Sequence, residues 1–422
     1  CVARASKAVG HECASKDRQN PASSTRQAVP RKPDAKKSRP QRPRRPSKDE
    51  LLDIHVFGSS ENCELGLGPR VTEALTPRMV PALGPNGHGV VQISAGGMHC
   101  VALTHDGKVL TWGVNDDGKH DILDPFESTP GVVAFHDDVD VVQGGDGNFG
   151  FLHEKPPKTT ESVSVRIPGL DNIMELAGGA NHVLAITNDG NVFAWGSGEQ
   201  NELGRRILAR RRFETLIPQR VGLPKNKAVK VFAGSHHSFA IDSDGKVWAF
   251  GLNNFGQCGI STREDTGFLT VISPIVVKSL SQYSIQHMAC GLHHSIACTE
   301  EGQVLVWGRC DDGQTGLRLH EVVPREHIIY DSKDRPRVLN VPTLVPGLEQ
   351  ARHVAAGIDN CFVVTKSGDL YVWGFSASYN TGLRTTDTVM TPQRIDERNL
   401  NSKVPMFVAA GGQFTVAVTD AL

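Results

Sequence analysis

Residues 93–113 read ISAGGMHCVALTHDGKVLTWG, and this stretch decides the fold because it recurs. It returns as LAGGANHVLAITNDGNVFAWG (176–196), VFAGSHHSFAIDSDGKVWAFG (231–251), MACGLHHSIACTEEGQVLVWG (288–308) and VAAGIDNCFVVTKSGDLYVWG (354–374). Each copy holds two short apolar runs joined by Asp-Gly, Glu-Gly or Ser-Gly, a strong hairpin signal that predicts a tight primed turn with positive φ. The small residues at the start of each copy end a preceding strand that packs closely on its neighbours. A glycine after an aromatic residue closes the hairpin. These closing glycines are Gly58, Gly113, Gly196, Gly251, Gly308 and Gly374, spaced 55, 83, 55, 57 and 66 residues apart. A period near 55 with one hairpin per unit fits a four-stranded propeller blade.

The ends of the repeat array support closure into a ring. The last copy, VAAGGQFTVAVTD (408–420), stops halfway, and the body begins with the missing half, LLDIHVFG (51–58). An N-terminal strand that completes the C-terminal blade leaves no exposed sheet edge, whereas an open solenoid has no reason to split a repeat. The 83-residue interval is roughly 27 short of two periods. One blade has therefore lost a hairpin, in evolution or through a misassembled coding sequence.

Charge divides the 422-residue chain in two. Residues 1–49 carry fourteen Lys and Arg against four Asp and Glu, leaving 31 basic and 42 acidic residues beyond them. A basic tail thus joins an acidic body, which the formal net charge of −1 conceals. Residues 1–50 hold few large apolar groups and much Pro, Ser, Lys and Arg, so they bury too little surface to offset ordering entropy and are expected to be disordered. Within the tail, Lys36, Lys37 and Arg39 form one basic cluster and Arg42, Arg44 and Arg45 a second. Such a run reads as an arm for DNA, a nuclear-import signal, or both.

Several classes of function find no support in the sequence. The nine cysteines are scattered without a C-x-x-C pair, so neither a zinc site nor a disulfide framework is indicated. There is no run of eighteen apolar residues and no apolar core of a secretory signal near the start, so neither a membrane span nor export is expected. The sequence lacks G-x-x-x-x-G-K-[ST], H-E-x-x-H and a nucleophile elbow, so no cofactor, catalytic metal or covalent chemistry is expected. Five tryptophans are too few for a light-sensing propeller of similar repeats.

Across residues 51–422 the units resemble the regulator of chromosome condensation family, through GSSENCELGLG (58–68), AGGMH (95–99), WGVNDDG (112–118), GANHVLA (179–185) and GEQNELGR (198–205). The resemblance implies an all-β propeller of the seven-bladed type, here with one truncated blade. It also implies nuclear residence on chromatin, binding to nucleosomes and DNA, and release of guanine nucleotide from a Ran-type small GTPase. The alternative is a chromatin-bound interaction scaffold without exchange activity. In the family a β-wedge enters the GTPase near its nucleotide. The matching segment is GGDGNFGFL (144–152), which makes Asp146, Gly147, Asn148, Phe149 and Gly150 wedge candidates. The family's basic residue before the wedge and the aspartate of the preceding blade turn have no counterpart. Glu61 matches an acidic position of the first repeat, Asn181 the aspartate of a GND-H turn, and His293 the first histidine of a His-His pair. Phe414 replaces a late histidine.

Individual residues sort by their place in the repeat. His99, His182, His237 and His294 share one position and read as packed core histidines. The residue before it varies (Met98, Asn181, His236, His293, Asn360, Gln413), as expected of a binding face on a regular scaffold. Asn181, His236 and His293 are thus GTPase-contact candidates. Arg210, Arg211 and Arg212, with Arg205 and Arg206 nearby, lie in an otherwise acidic body and are nucleosome-contact candidates, because guanidinium forks pair well with carboxylate and phosphate. The pairs Asp116-Asp117, Asp137-Asp138 and Asp311-Asp312 have no evident partner and read as polar turn residues.

Overall fold

Each repeat folds as one antiparallel sheet. A computed structural model describes residues 51–421 except 62, 115–125, 133–141, 145–148, 152–166, 168–169, 224–227 and 263–268. For 126–132, 142–144, 149–151, 209 and 212 it describes backbone alone. The chain enters with β1 (Leu52–Ser59) and β2 (Glu73–Met79), the outer half of blade 1. Blade 2 is β3 (Val90–Ala95), β4 (His99–Thr104), β5 (Val109–Val114) and β6 (Phe126–Val132), followed by a ribbon of β7 (Val142–Gly144) and β8 (Phe149–Phe151). Blade 3 holds β9 (Ile173–Gly178), β10 (His182–Thr187), β11 (Val192–Gly196) and β12 (Gln219–Arg220). Blade 4 holds β13 (Ala228–Ala233), β14 (His237–Asp242), β15 (Val247–Leu252) and β16 (Thr270–Val276).

Blade 5 has five strands: β17 (Ile285–Cys290), β18 (His294–Thr299), β19 (Val304–Arg309), β20 (Ile328–Tyr330) and β21 (Pro336–Leu344), with β21 beside β19 and β20 outermost. Blade 6 is β22 (Ala351–Ala356), β23 (Asn360–Thr365), β24 (Leu370–Gly374) and β25 (Val389–Arg394). Finally β26 (Pro405–Ala410) and β27 (Phe414–Asp420) complete blade 1. Its strand order is β2-β1-β27-β26, with Leu52 opposite Asp420 and Gly58 opposite Phe414. Closure by the N-terminal strand therefore holds as expected from the split repeat.

The seven-bladed expectation does not hold. Among the described residues there are six blades, and those described between blades 2 and 3 form a two-stranded β7–β8 ribbon. The inner strands touch in the order β3, β7, β9, β13, β17, β22, β26 and back to β3, so the ribbon fills an inner place without building a blade around it. The physical reason is length: the 83-residue interval leaves too little chain for a second four-stranded sheet.

The hairpin turns also differ from expectation. In blade 2 the Gly107 N–H donates to Thr104 O and Thr104 N–H to Lys108 O, which makes a three-residue loop. Only the glycine has positive φ, +86° at Gly107. This is a type I turn followed by a left-handed glycine, so Asp-Gly signalled the hairpin correctly but not its turn class.

Neighbouring blades are bonded to one another by a repeated device. A backbone carbonyl in the outer loop of one blade accepts from the next blade's tryptophan: Trp112 Nε1 to Glu64 O (2.8 Å), Trp307 Nε1 to Gln257 O (2.8 Å) and Trp373 Nε1 to Gln314 O (2.9 Å). The same carbonyls accept from Cys100, Ser295 and Cys361, while Glu202 O accepts from Ser238 and Asn380 O from Thr415. Trp112, Trp307 and Trp373 are fully buried, with Phe250 and Phe57 in their place in blades 4 and 1. Large rings packed between sheets supply the apolar burial, and the shared carbonyl fixes their register.

Candidate protein-binding face

Among the described residues, the loop from first to second strand and the loop from third to fourth emerge at the same end of each sheet, because neighbouring strands are antiparallel. These loops form two rings on one face. The inner ring is Met98, Asn181, His236, His293, Asp359 and Gln413. Each of its backbone carbonyls accepts from the residue after a closing glycine: Val114 to Met98 (2.9 Å), Ser197 to Asn181 (2.6 Å), Leu252 to His236 (2.8 Å), Arg309 to His293 (2.9 Å), Phe375 to Asp359 (2.9 Å) and Ser59 to Gln413 (2.9 Å). Asp359, not Asn360, is thus the inner-ring residue of blade 6. Asn360 opens β23 opposite Gly374, in the position of the repeated histidine. The six closing glycines have φ between +104° and +117°. At Gly308 an added Cβ would lie 2.5 Å from His293 O, so the ring depends on the missing side chain.

Glu61 is exposed in the outer ring, in register with Glu199, Asn254, Asp311 and Ala377, which are also exposed. Asn181 is exposed, while His236 and His293 are half-buried. His236 shares a hollow of about 230 Å³ at the axis with Met98, Ala180, Leu292, Ile358 and Gln413. Behind it the inner strands line an axial channel of about 300 Å³. The repeated histidines lie deeper, and two of them bridge blades: His182 Nε2 is 2.8 Å from Ser238 Oγ, and His237 Nε2 is 2.8 Å from Ser295 Oγ. Each serine gives its proton to a carbonyl, so the histidine donates. Burial holds His182 down at about 3, and its role is structural, as the repeat position implied.

One cluster on this face was not legible as a site. Arg309 Nε is 2.6 Å from Asp311 Oδ1, its Nη2 2.5 Å from Asp312 Oδ2, and its Nη1 3.6 Å from Asp359 Oδ1. Burial weighs against the guanidinium charge, but the bond to Asp311 and the fields of Asp359 and Asp312 outweigh it, so the pKa of Arg309 stands above its ordinary value. Asp311 and Asp312 therefore do have a partner, contrary to the reading from sequence. Gln314 Nε2 donates to Asp359 Oδ1 at 2.9 Å and ties the loops of blades 5 and 6. Phe255, from the outer loop of blade 4, stacks on His293 with ring centroids 4.7 Å apart, and Arg309 and Arg337 lie 5.9 and 5.2 Å from its centroid. Burial, then the neighbouring Arg309 charge, pushes the His293 pKa down. The available signal was register: Phe255 is apolar where the other outer loops carry Asn62, Asp117, Gln200, Asp312 and Ser378.

The other candidates are scattered. Phe149 and Gly150 belong to β8, where Gly144 pairs with Phe149 and Gln143 with Gly150. Asp146, Gly147 and Asn148 lie outside the described residues, as do Lys36, Lys37, Arg39, Arg42, Arg44, Arg45 and the pairs Asp116-Asp117 and Asp137-Asp138. Arg210 and Arg211 are exposed on a 3-10 segment (Ala209–Leu216) between β11 and β12, with Arg211 Nε 3.8 Å from Glu214 Oε1; only the backbone of Arg212 is described. Arg205 instead turns inward and donates to Ala194 O at 3.2 Å. Among the described residues no group of His, Cys, Asp and Glu is placed to hold a metal, and no helix is long and apolar enough to cross a membrane.

The model of the RCC1-like domain matches residues 53–417. The chain belongs to the RCC1-like domain family. Among relatives of this RCC1-like chain, the protein Pim1 of Schizosaccharomyces pombe is 35% identical over 408 residues, covering 87% of this chain and 74% of Pim1. The guanine nucleotide exchange factor SRM1 of Saccharomyces cerevisiae is 29% identical, covering 87% of each chain. A crystal structure of Prp20p from Saccharomyces cerevisiae, described with its binding to Gsp1p and histones, aligns with TM-score 0.79 and 31% identity over 88% of this chain and 92% of that one. A second, of Kap60 bound to yeast RCC1 (Prp20), aligns with TM-score 0.79 and 29% identity over 94% and 97%.

Proposed function

We propose that this RCC1-like chain is a chromatin-bound, nuclear guanine-nucleotide exchange factor for a Ran-type small GTPase. The carrying observation is similarity along nearly the whole propeller to a relative named as an exchange factor, together with one loop face that presents variable, mostly polar side chains on a repeated frame. The GTPase contacts are Glu61, Asn181, His236 and His293, with Asp146, Gly147, Asn148, Phe149 and Gly150 as the wedge. An exchange factor needs no covalent chemistry. It binds the nucleotide-free GTPase more tightly than the loaded one, and by linkage it weakens nucleotide binding by the same factor. A rigid ring of loops suits this, because binding energy is not lost in ordering the surface.

Prp20p is described as binding Gsp1p and histones, which supports nucleosome contact here through Arg210, Arg211 and Arg212 and DNA contact through the tail. The complex of Kap60 with Prp20 supports an import receptor as partner of the basic tail. The test is release of a fluorescent guanine nucleotide from loaded Ran with excess unlabelled nucleotide present. Catalytic amounts of the chain are expected to accelerate release at least a hundredfold over the intrinsic rate. A rate unchanged by the chain would reject the exchange reading. A second reading, a chromatin scaffold without exchange, is favoured by the wedge candidates Phe149 and Gly150 lying in a ribbon that has two strands among the described residues. It predicts nucleosome capture with nucleotide release unaltered.

A further inference from the structure

We propose that Phe255 is a positioning residue for the GTPase contact made by His293, a role that rests on the exchange reading above. Three blades converge on this histidine. Phe255 comes from the outer loop of blade 4 and lies against the imidazole at 4.7 Å, the planes tilted by 34°. His293 belongs to blade 5, where its carbonyl is fixed by the Arg309 N–H at 2.9 Å. Blade 6 supplies Asp359, which lies 3.6 Å from Arg309 Nη1 and is held from its other side by Gln314.

Phe255 is itself fixed. Its N–H donates to Gln257 Oε1 at 2.8 Å, and the guanidinium groups of Arg309 and Arg337 approach its ring. An arginine beside an aromatic ring gains cation–π attraction, and Arg309 cannot leave without breaking its contacts to Asp311 and Asp312. The imidazole therefore packs on a ring held by its own contacts, and its backbone carbonyl is tied to Arg309. An aromatic side chain left half-exposed at a loop position that is polar in the other repeats has no core-packing role. What it packs on is the histidine. Preorganising a contact residue reduces the rotamer entropy lost on binding, so the gain belongs to affinity for the GTPase rather than to the maximal rate of release.

The charged and titratable groups facing His293 are Arg309, Asp359, His236 and Asp311. Arg309 and His236 disfavour its protonation and the two aspartates favour it. With the Phe255 ring removed, water reaches the imidazole and its titration moves up toward that of a free histidine.

The full chain with Phe255→Ala, Phe255→Tyr, His293→Ala and the Phe255→Ala/His293→Ala pair would be assayed for nucleotide release, alongside NMR titration of the His293 ring. Phe255→Ala is expected to raise KM for the loaded GTPase at least fivefold with kcat within twofold, and to move His293 titration upward. Phe255→Tyr restores both. In the His293→Ala background, Phe255→Ala adds nothing, because its effect passes through the histidine. A fivefold rise that persists without His293, or an unchanged His293 titration in Phe255→Ala, overturns the proposal. If the wild-type chain itself fails to accelerate release, the exchange reading fails and the proposal, which needs a GTPase contact, fails with it. Exchange that is normal in the wild type and insensitive to Phe255→Ala removes the positioning role alone.

Discussion

Lys403 Nζ lies 2.7 Å from Asp53 Oδ2, joining residues 350 positions apart across the blade that closes the ring. Lys403 also donates to Ala421 O at 2.9 Å, so one ammonium holds both the first strand and the end of the last. Asp53 is buried, and nearby Gly84 leaves room for its carboxylate. Lys403→Ala leaves that carboxylate without its cation and is expected to cost about 2 kcal/mol, less than a fully buried pair because the lysine is partly exposed. Lys403→Ala with Asp53→Asn should recover at least half of the loss. Urea unfolding of the single and double variants measures both. Equal midpoints for wild type and Lys403→Ala would show that the backbone pairing alone closes the ring.

Acid sensitivity should follow the buried histidines between blades. The folded-state pKa of His182 falls from 6.5 to about 3, with burial as the main cause, and His237 is also pushed down by burial. Below pH 6.5 the unfolded chain takes up protons that the folded one refuses, so stability is lost as pH falls from about 6.5 toward 3. Glu175 acts oppositely. Burial raises its carboxyl from 4.5 to about 7, so its contribution to stability declines as pH rises through that window. Blade 6 carries Asn360 at the histidine position, which shows that an uncharged amide fits the fold. His182→Asn should therefore flatten the drop in urea midpoint between pH 7 and pH 5. A variant curve parallel to that of the wild type would assign the acid loss to other groups.

The fold was largely legible because a repeat reports the same physics several times. Asp-Gly marked the hairpins, the closing glycines marked the period, and the split copy at 51–58 and 408–420 predicted the pairing of β1 with β27. Blade count was not legible: seven came from resemblance, and with the short 83-residue interval the described residues form six blades and a ribbon. The binding face was legible only as variation. Counting one residue too far put Asn360 in the inner ring, where Asp359 stands, because the histidine that anchors the register is itself replaced in that blade. The Arg309–Asp359 and Phe255–His293 contacts join loops of different blades, and spacing within one repeat carries no information about its neighbour.

Reversing charge on the blade 3 loop should separate two partners. Arg210 and Arg211 are exposed, while Arg205 is committed to the Ala194 carbonyl. Arg210→Glu with Arg211→Glu is expected to weaken nucleosome binding at least tenfold and to lower its salt dependence, since fewer ionic contacts remain. Nucleotide release from the GTPase should stay within twofold. Arg205→Glu instead should lower thermal stability. Nucleosome affinity unchanged in the double reversal would move the chromatin contact elsewhere, the basic tail being the first place to test by truncation.

Two glycines with positive φ but different surroundings provide a contrasting test of the loop face. Gly347 has φ +75° with nothing near a prospective Cβ, so Gly347→Ala carries only the left-handed backbone cost, about 1 kcal/mol. Gly308 has φ +104°, and its Cβ would lie 2.5 Å from His293 O and 2.7 Å from His294 Cα. Those atoms are backbone and cannot swing aside, so Gly308→Ala adds overpacking to the backbone cost and is expected to lose roughly 3 kcal/mol or more. It also pushes on the carbonyl that anchors Arg309, so the His293 ring signal should shift in Gly308→Ala and not in Gly347→Ala. Urea midpoints and the histidine spectra of both variants decide the matter. Equal losses would mean that the strand ends separate easily, and the rigid frame assumed for the binding face would have to be given up.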